Sequence, residues 1–213
     1  HDACGIGFIA RLDAKPNHQL VQDAIKILIN LEHRGAIGGD KGTGDGAGIM
    51  YQIPHDFFVA QQEEMGFEIP EQGEYAVGMI FLPIHKPLAR RCKVAMEKVV
   101  QEEGLNILGW REVPVASSTL GELAKTTQPQ IEQVFIPRED LTKQKFERKL
   151  YVIRRLIEKE VASWENFDAS QFYIPTLSCE KIVFKGLLTA TQIPEFYKDL
   201  GNEHFKSGWS IVH

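Results

Sequence analysis

A cysteine followed by glycine stands at positions 4 and 5 of this 213-residue chain, and no other side chain in the sequence offers as much chemistry. A thiol becomes an acyl-transfer nucleophile when a nearby base helps to form the thiolate. If the chain is cut ahead of Cys4, the new α-amine, with a pKa of about 7.7–8.0, is available as that base. With His1-Asp2-Ala3 still attached, the same nitrogen is an amide and the sequence describes an unprocessed precursor. Taken alone, an early cysteine beside glycine also reads as a buried, inert thiol, because free cysteine is usually buried.

Two further segments carry candidate chemistry. The guanidinium of Arg34 presents paired, planar donors suited to a carboxylate. Its other reading is a cation at a helix C-terminus, where the dipole favours positive charge. His33 beside it is a conceivable base, but a free α-amine makes one unnecessary, so it reads as structural. From Gly35 to Gly48 the chain is dense in glycine and includes Asp45 and Gly46. So much conformational freedom in one loop points to tight backbone geometry beside a functional group, or else to a flexible surface loop.

These residues need elements to hold them. Gly5 to Ala10 reads as a buried strand. Pro16 and Asn17 open a helix with Leu20, Val21, Ala24, Ile25, Leu28 and Leu31 on one face, and Gly35 is its natural stop. Ile49–Ile53 reads as a strand, His55–Gln62 as a short helix, Tyr75–Leu82 as a strand, and Pro87 starts a helix running to Gly104. Trp110–Val115 is extended. Thr119 and Glu122 have capping-box spacing for a short helix over Leu120–Lys125. Gln133–Ile136 is a strand, and Asp140 caps the longest helix, which ends near Ala162. Phe172–Leu177 and Ile182–Phe184 read as a strand pair, and Thr189–Leu200 as a final helix. Strands and helices mix without regular βαβ alternation, which indicates an α+β architecture of packed sheets with helices outside. Without repeats or a linker, residues 1–213 read as a single domain. Trp209-Ser210-Ile211-Val212-His213 reads as a strand just begun, the mark of a fragment.

Composition narrows the class. The chain is 43% hydrophobic and 25% charged, as soluble globular proteins are. A net charge of −5 argues against general affinity for nucleic acid or an anionic membrane. Apolar runs fall short of the roughly 20 residues that span a bilayer, and no secretory leader opens the sequence. Cys4, Cys92 and Cys179 are sparse and unpaired, which fits a reducing compartment, the cytoplasm by default. Cysteine and histidine do not cluster at metal-ligand spacing.

Cys4-Gly5-Ile6-Gly7-Phe8, Leu31-Glu32-His33-Arg34-Gly35 and Thr43-Gly44-Asp45-Gly46-Ala47-Gly48 follow one another at close spacing. Together they resemble the N-terminal amidotransferase domain of glutamate synthase, a class II glutamine amidotransferase among the N-terminal nucleophile (Ntn) hydrolases. Glu132-Gln133-Val134-Phe135-Ile136-Pro137, the run from Phe146 to Arg155, and Val183-Phe184-Lys185-Gly186-Leu187-Leu188 extend the resemblance over essentially the whole chain.

The resemblance implies a four-layer αββα sandwich, incomplete at its C-terminus, with residues 1–3 a residual propeptide. It implies that Cys4 becomes the mature N-terminus and attacks the side-chain amide of L-glutamine. A tetrahedral oxyanion, loss of ammonia and hydrolysis of a γ-glutamyl thioester follow. Arg34 matches a family arginine that binds the substrate α-carboxylate, and Gly35, Asp45 and Gly46 match a supporting active-site loop. His213 matches the start of a segment around the glutamine pocket. The oxyanion-hole asparagine and glycine, and the acid that holds the substrate amine, are expected beyond His213. One oxyanion donor is worth about 10²–10³ in rate, so the chain alone is expected to be crippled or inactive.

No metal or cofactor is implied for this chain. FMN and an iron–sulfur cluster are expected in the synthase domains of a parent enzyme. The implied partners are L-glutamine, that synthase domain, and a small subunit or electron donor. Nucleic acid and membrane are not expected, and exposed sheet surface would favour self-association of the fragment. The alternatives are a stand-alone Ntn amidohydrolase acting on another amide, and a non-catalytic interaction module of the same fold.

Overall fold

The structure is a computed structural model that describes residues 5–34 and 42–213, with Arg34 described through its backbone alone. In chain order the elements are strand β1 (Gly7–Ala10), helix α1 (His18–Asn30), strand β2 (Ala47–Gln52), helix α2 (His55–Met65), strand β3 (Tyr75–Leu82) and helix α3 (Lys86–Glu102). There follow β4 (Gly109–Glu112), α4 (Glu122–Thr126), β5 (Gln130–Pro137), α5 (Lys143–Ala162), β6 (Tyr173–Ser178), β7 (Lys181–Gly186), α6 (Gln192–Phe196) and β8 (Trp209–Val212). No helix among the described residues is long and apolar enough to cross a membrane.

The strands form two sheets, ordered β1-β8-β2-β7 and β4-β5-β3-β6. The β1–β8, β2–β8, β3–β5, β3–β6 and β4–β5 pairs are antiparallel. Contacts divide the chain into two compact units. One comprises His1–Ala60, Val113–Gln128 and Val183–His213, and the other comprises Gln61–Glu112 and Pro129–Ile182. The mixed α and β content with antiparallel sheets agrees with the expected class.

In the first unit, α1 lays Leu20, Val21, Ala24, Ile25 and Leu28 into the core. At about 1.5–3 kcal/mol for each large apolar side chain buried, this face contributes more than the cap at its start. Asn17 supplies that cap, its side-chain oxygen accepting from the Leu20 amide at 2.8 Å. Beside it, Phe184, Phe205, Tyr51 and Phe57 pack mostly edge to face, with ring centres 5.4–5.6 Å apart. In the second unit, α3 and α5 cover one face of the β4-β5-β3-β6 sheet. Met96, Leu150, Ile153 and Ile157 meet Ala76, Ile80, Val134 and Ile174 there.

Several expectations shift. The first strand is half open to solvent: Phe8 is 65% exposed on one face while Gly7 and Ile9 face α1. The predicted capping box does not form, because the Thr119 hydroxyl donates to Ala116 O and Gly121 takes the cap position of α4. Thr142, not Asp140, caps α5. The strands around 172–184 do not pair with each other, since β6 joins β3 and β7 joins β2. The final helix is two short pieces, α6 and a 3-10 turn at Lys198–Gly201. It breaks at Tyr197, whose extended backbone bridges Val115 and whose hydroxyl donates to Lys185 O at 2.7 Å.

Candidate functional site

Strand register brings the candidate segments to one end of the first sheet. Val212 of β8 lies opposite both Gly7 of β1 and Ile49 of β2. β1 and β2 therefore run in the same direction and begin at the same edge, so Gly5-Ile6 and Asp45-Gly46 enter their strands at one end of the sheet, on either side of β8. His213 extends the ladder there: its N–H donates to Gly48 O at 3.0 Å and its carbonyl accepts from Gly48 N–H at 2.8 Å. β7 ends at the same place, with Gly186 O 3.8 Å from where a Cβ on Gly46 would lie.

The helix that leads to Arg34 closes on this edge because of one glycine. A Cβ on Gly7 would stand 2.4 Å from Ile27 Cγ2 and 2.9 Å from Val212 Cγ2, far inside contact distance. Its absence lets the last turn of α1 rest on β1 and carries Leu31 into the 3-10 turn Glu32–Arg34. His33 folds back, its Nδ1–H donating to Asn30 O at 2.8 Å. That satisfies one of the carbonyls a helix end leaves open, a structural role as the sequence suggested.

The second half of the glycine loop is tightly seated. Gly42 and Gly46 have φ of 104° and 130°, in the region that favours glycine. A Cβ on Gly44 would meet Leu188 O at 2.2 Å, so the loop lies flush on the Leu188-Thr189 backbone. Thr43 is buried and its hydroxyl accepts from Ala124 N–H at 3.4 Å. Asp45 and Gly46 are exposed at the edge.

Sequence reasoning passed over the residue that ties this loop down. Gln192 is 8% exposed. Its Nε2 donates to Gly42 O and to Thr119 O, both at 2.7 Å, and its Oε1 accepts from Thr189 N–H at 2.8 Å. Thr191, next to it, donates to Glu32 Oε1 at 3.5 Å. The corner 188–192 thus touches both the turn before Arg34 and the loop around Asp45. The spacing Thr189-x-x-Gln192 is itself a capping-box signature, and the observed glutamine-to-Thr189 bond is half of one.

Cys4 and Gly35 lie outside the described residues, and so does the side chain of Arg34. The other two thiols are buried. Burial pushes the Cys92 thiol up to about 11 and the Cys179 thiol up to about 12. For Cys179 the Glu147 carboxylate adds to the effect. Both thiols are protonated and inert at neutral pH. Among the described residues no three His, Cys, Asp or Glu side chains gather as metal ligands.

Residues 4–213 match the family described as class-II glutamine amidotransferases. Over 215 residues the chain is 41% identical to the glutamate synthase [NADPH] large chain of Bacillus subtilis (strain 168), covering 100% of this chain and 14% of that protein. It is 43% identical over 215 residues to ferredoxin-dependent glutamate synthase 1 of Arabidopsis thaliana, covering 99% of this chain and 13% of the relative. A ferredoxin-dependent glutamate synthase of Pyropia yezoensis is 39% identical over 212 residues, with 100% of this chain and 14% of that protein covered. The chain therefore spans only about one-seventh of the length of these relatives.

Proposed function

This chain belongs to the class II glutamine amidotransferases, and from that premise we propose that it is the glutaminase part of a glutamate synthase, with Cys4 as the nucleophile. Removal of His1-Asp2-Ala3 frees the Cys4 amine. That amine accepts the thiol proton while Sγ attacks the side-chain amide carbon of L-glutamine. The tetrahedral intermediate collapses as the ammonium returns its proton to the departing ammonia. Water, deprotonated by the same amine, then hydrolyses the γ-glutamyl thioester to glutamate.

The observation that carries this reading is the convergence of the strands entered from Gly5-Ile6 and Asp45-Gly46 at one sheet edge, beside the turn that ends at Arg34. Within it, Arg34 binds the substrate α-carboxylate, and Gly35, Asp45 and Gly46 support the pocket. Residues 1–213 are read as a single domain of the αββα sandwich class. Ammonia is passed to a synthase domain that holds the FMN and iron–sulfur cluster, fed by a small subunit or electron donor, in the cytoplasm.

The reading is tested in the parent polypeptide by intact mass and glutaminase assay. Loss of residues 1–3, activity that vanishes in Cys4→Ser, and labelling of Cys4 by 6-diazo-5-oxo-norleucine are expected. Arg34→Ala should abolish the preference for L-glutamine over its α-carboxamide. If that preference survives, Arg34 does not read the carboxylate. An active Cys4→Ser protein would remove the nucleophile assignment altogether.

A second reading concerns assembly. Phe8, Ile211 and Met50 form a row across one face of the first sheet, with Phe8 65% and Ile211 38% exposed. This supports self-association of the chain when it is prepared alone.

A further inference from the structure

We propose that Gln192 is a positioning residue of the amidotransferase site, holding the Gly42–Gly46 loop in the conformation that receives glutamine. The inference rests on the glutaminase reading above and deepens it. All three hydrogen-bonding sites of the carboxamide that face the protein are used: two donors reach Gly42 O and Thr119 O, and the oxygen takes the Thr189 N–H. No other uncharged side chain of that length supplies two donors and an acceptor in one plane.

The loop it grips has no slack on its other sides. Gly42 O also accepts the Gly121 N–H at 3.0 Å. A Cβ on Gly121 would meet Thr43 Oγ1 at 2.4 Å and Gly42 C at 2.6 Å. Gly44 lies against Leu188 and Thr189 with no room for a Cβ. The carboxamide therefore joins three segments remote in sequence, 42–44, 119–121 and 189–192, and fixes where Asp45 and Gly46 stand at the entrance to β2. Gln192 touches no reacting atom in this scheme; it acts through the loop.

Gln192→Glu keeps the size and places an oxygen against two carbonyl oxygens. Gly121→Ala pushes the same loop from the opposite side without touching Gln192, and serves if the first variant does not fold. In this chain, both variants should raise amide hydrogen exchange at Thr43–Gly46 by roughly ten-fold or more while α1 and β3 keep their protection. In the parent polypeptide both should raise KM for L-glutamine, with kcat/KM down by about 10²-fold, the scale of a reacting group misplaced by about 1 Å. A side chain that only stabilised the fold would reduce the active fraction, and hence kcat, and leave KM unchanged.

Unaltered exchange at Thr43–Gly46 overturns the latch. Faster exchange with wild-type KM and kcat overturns its part in the reaction. A wild-type parent with no glutaminase activity instead removes the functional reading on which the inference depends, and the exchange data still report the latch itself.

Discussion

Cys92 and Cys179 are both buried, and that burial is measurable. With thiols pushed up to about 11 and about 12, Cys92 and Cys179 are thiolate in about one molecule in 10³ and 10⁴ at pH 8. Iodoacetamide at pH 8 should therefore leave Cys92 and Cys179 of the native chain unmodified and reach both after denaturation. An adduct on either of them in the native protein would contradict its burial. The same shifts set the alkaline limit of stability. A thiol whose pKa is raised on folding contributes fully below its unfolded value of about 9 and loses that contribution as pH climbs through the folded one. Burial raises Tyr51, Tyr75 and Tyr197 in the same direction. Thermal stability should thus hold to about pH 9 and fall steadily above it, which melting curves between pH 7 and 11 would reveal. Cys92 and Cys179 read from sequence as core thiols because neither has a partner there, and both are buried. For Gln192 only the local bond to Thr189 had a signature; its other partners, Thr119 and Gly42, lie 70 or more residues away.

At the level of elements, two substitutions separate local from tertiary contributions to α1. Asn17→Ala removes the cap on Leu20 and should cost about 1 kcal/mol in a urea melt. Thr142→Ala should cost less, since its bond to Lys145 N–H is long at 3.4 Å. Gly7→Ala forces a methyl group into Ile27 and Val212 and should cost about 1–3 kcal/mol. A neutral Gly7→Ala would mean that β1 and α1 are not held in close contact. The elements that were legible, α1, α3, α5 and β3, are those whose apolar residues repeat with the helix or strand period over many positions. What failed depended on pairing. Tyr197 leaves its helix to bridge Val115. The strands flanking the turn at Cys179-Glu180 enter different sheets. Neither fact has a local signature. At the site, the order of the motifs around Cys4, Arg34 and Asp45 was legible, whereas the shared edge at which β1 and β2 begin depends on β8, which lies far away in sequence.

At the scale of the whole molecule, the exposed row of Phe8, Met50 and Ile211 predicts concentration-dependent association of the isolated chain. Phe8→Ser with Ile211→Thr should shift light scattering towards the monomer, and a monodisperse wild-type monomer would dispose of the idea. The strand order of the first sheet also has a temporal meaning. β1 and β2 do not touch each other; each is bonded to β8, which lies between them. Ala10 and its partner Trp209 are separated by almost the entire sequence. At synthesis rates of about 5–20 residues per second, β1 waits roughly 10–40 seconds for its neighbour. Until then the strand that follows Cys4 has no ladder to join, and the edge where the motifs meet does not exist. The sheet edge that β1 and β2 share through β8 is therefore a late product of synthesis, closed only once translation has passed residue 212.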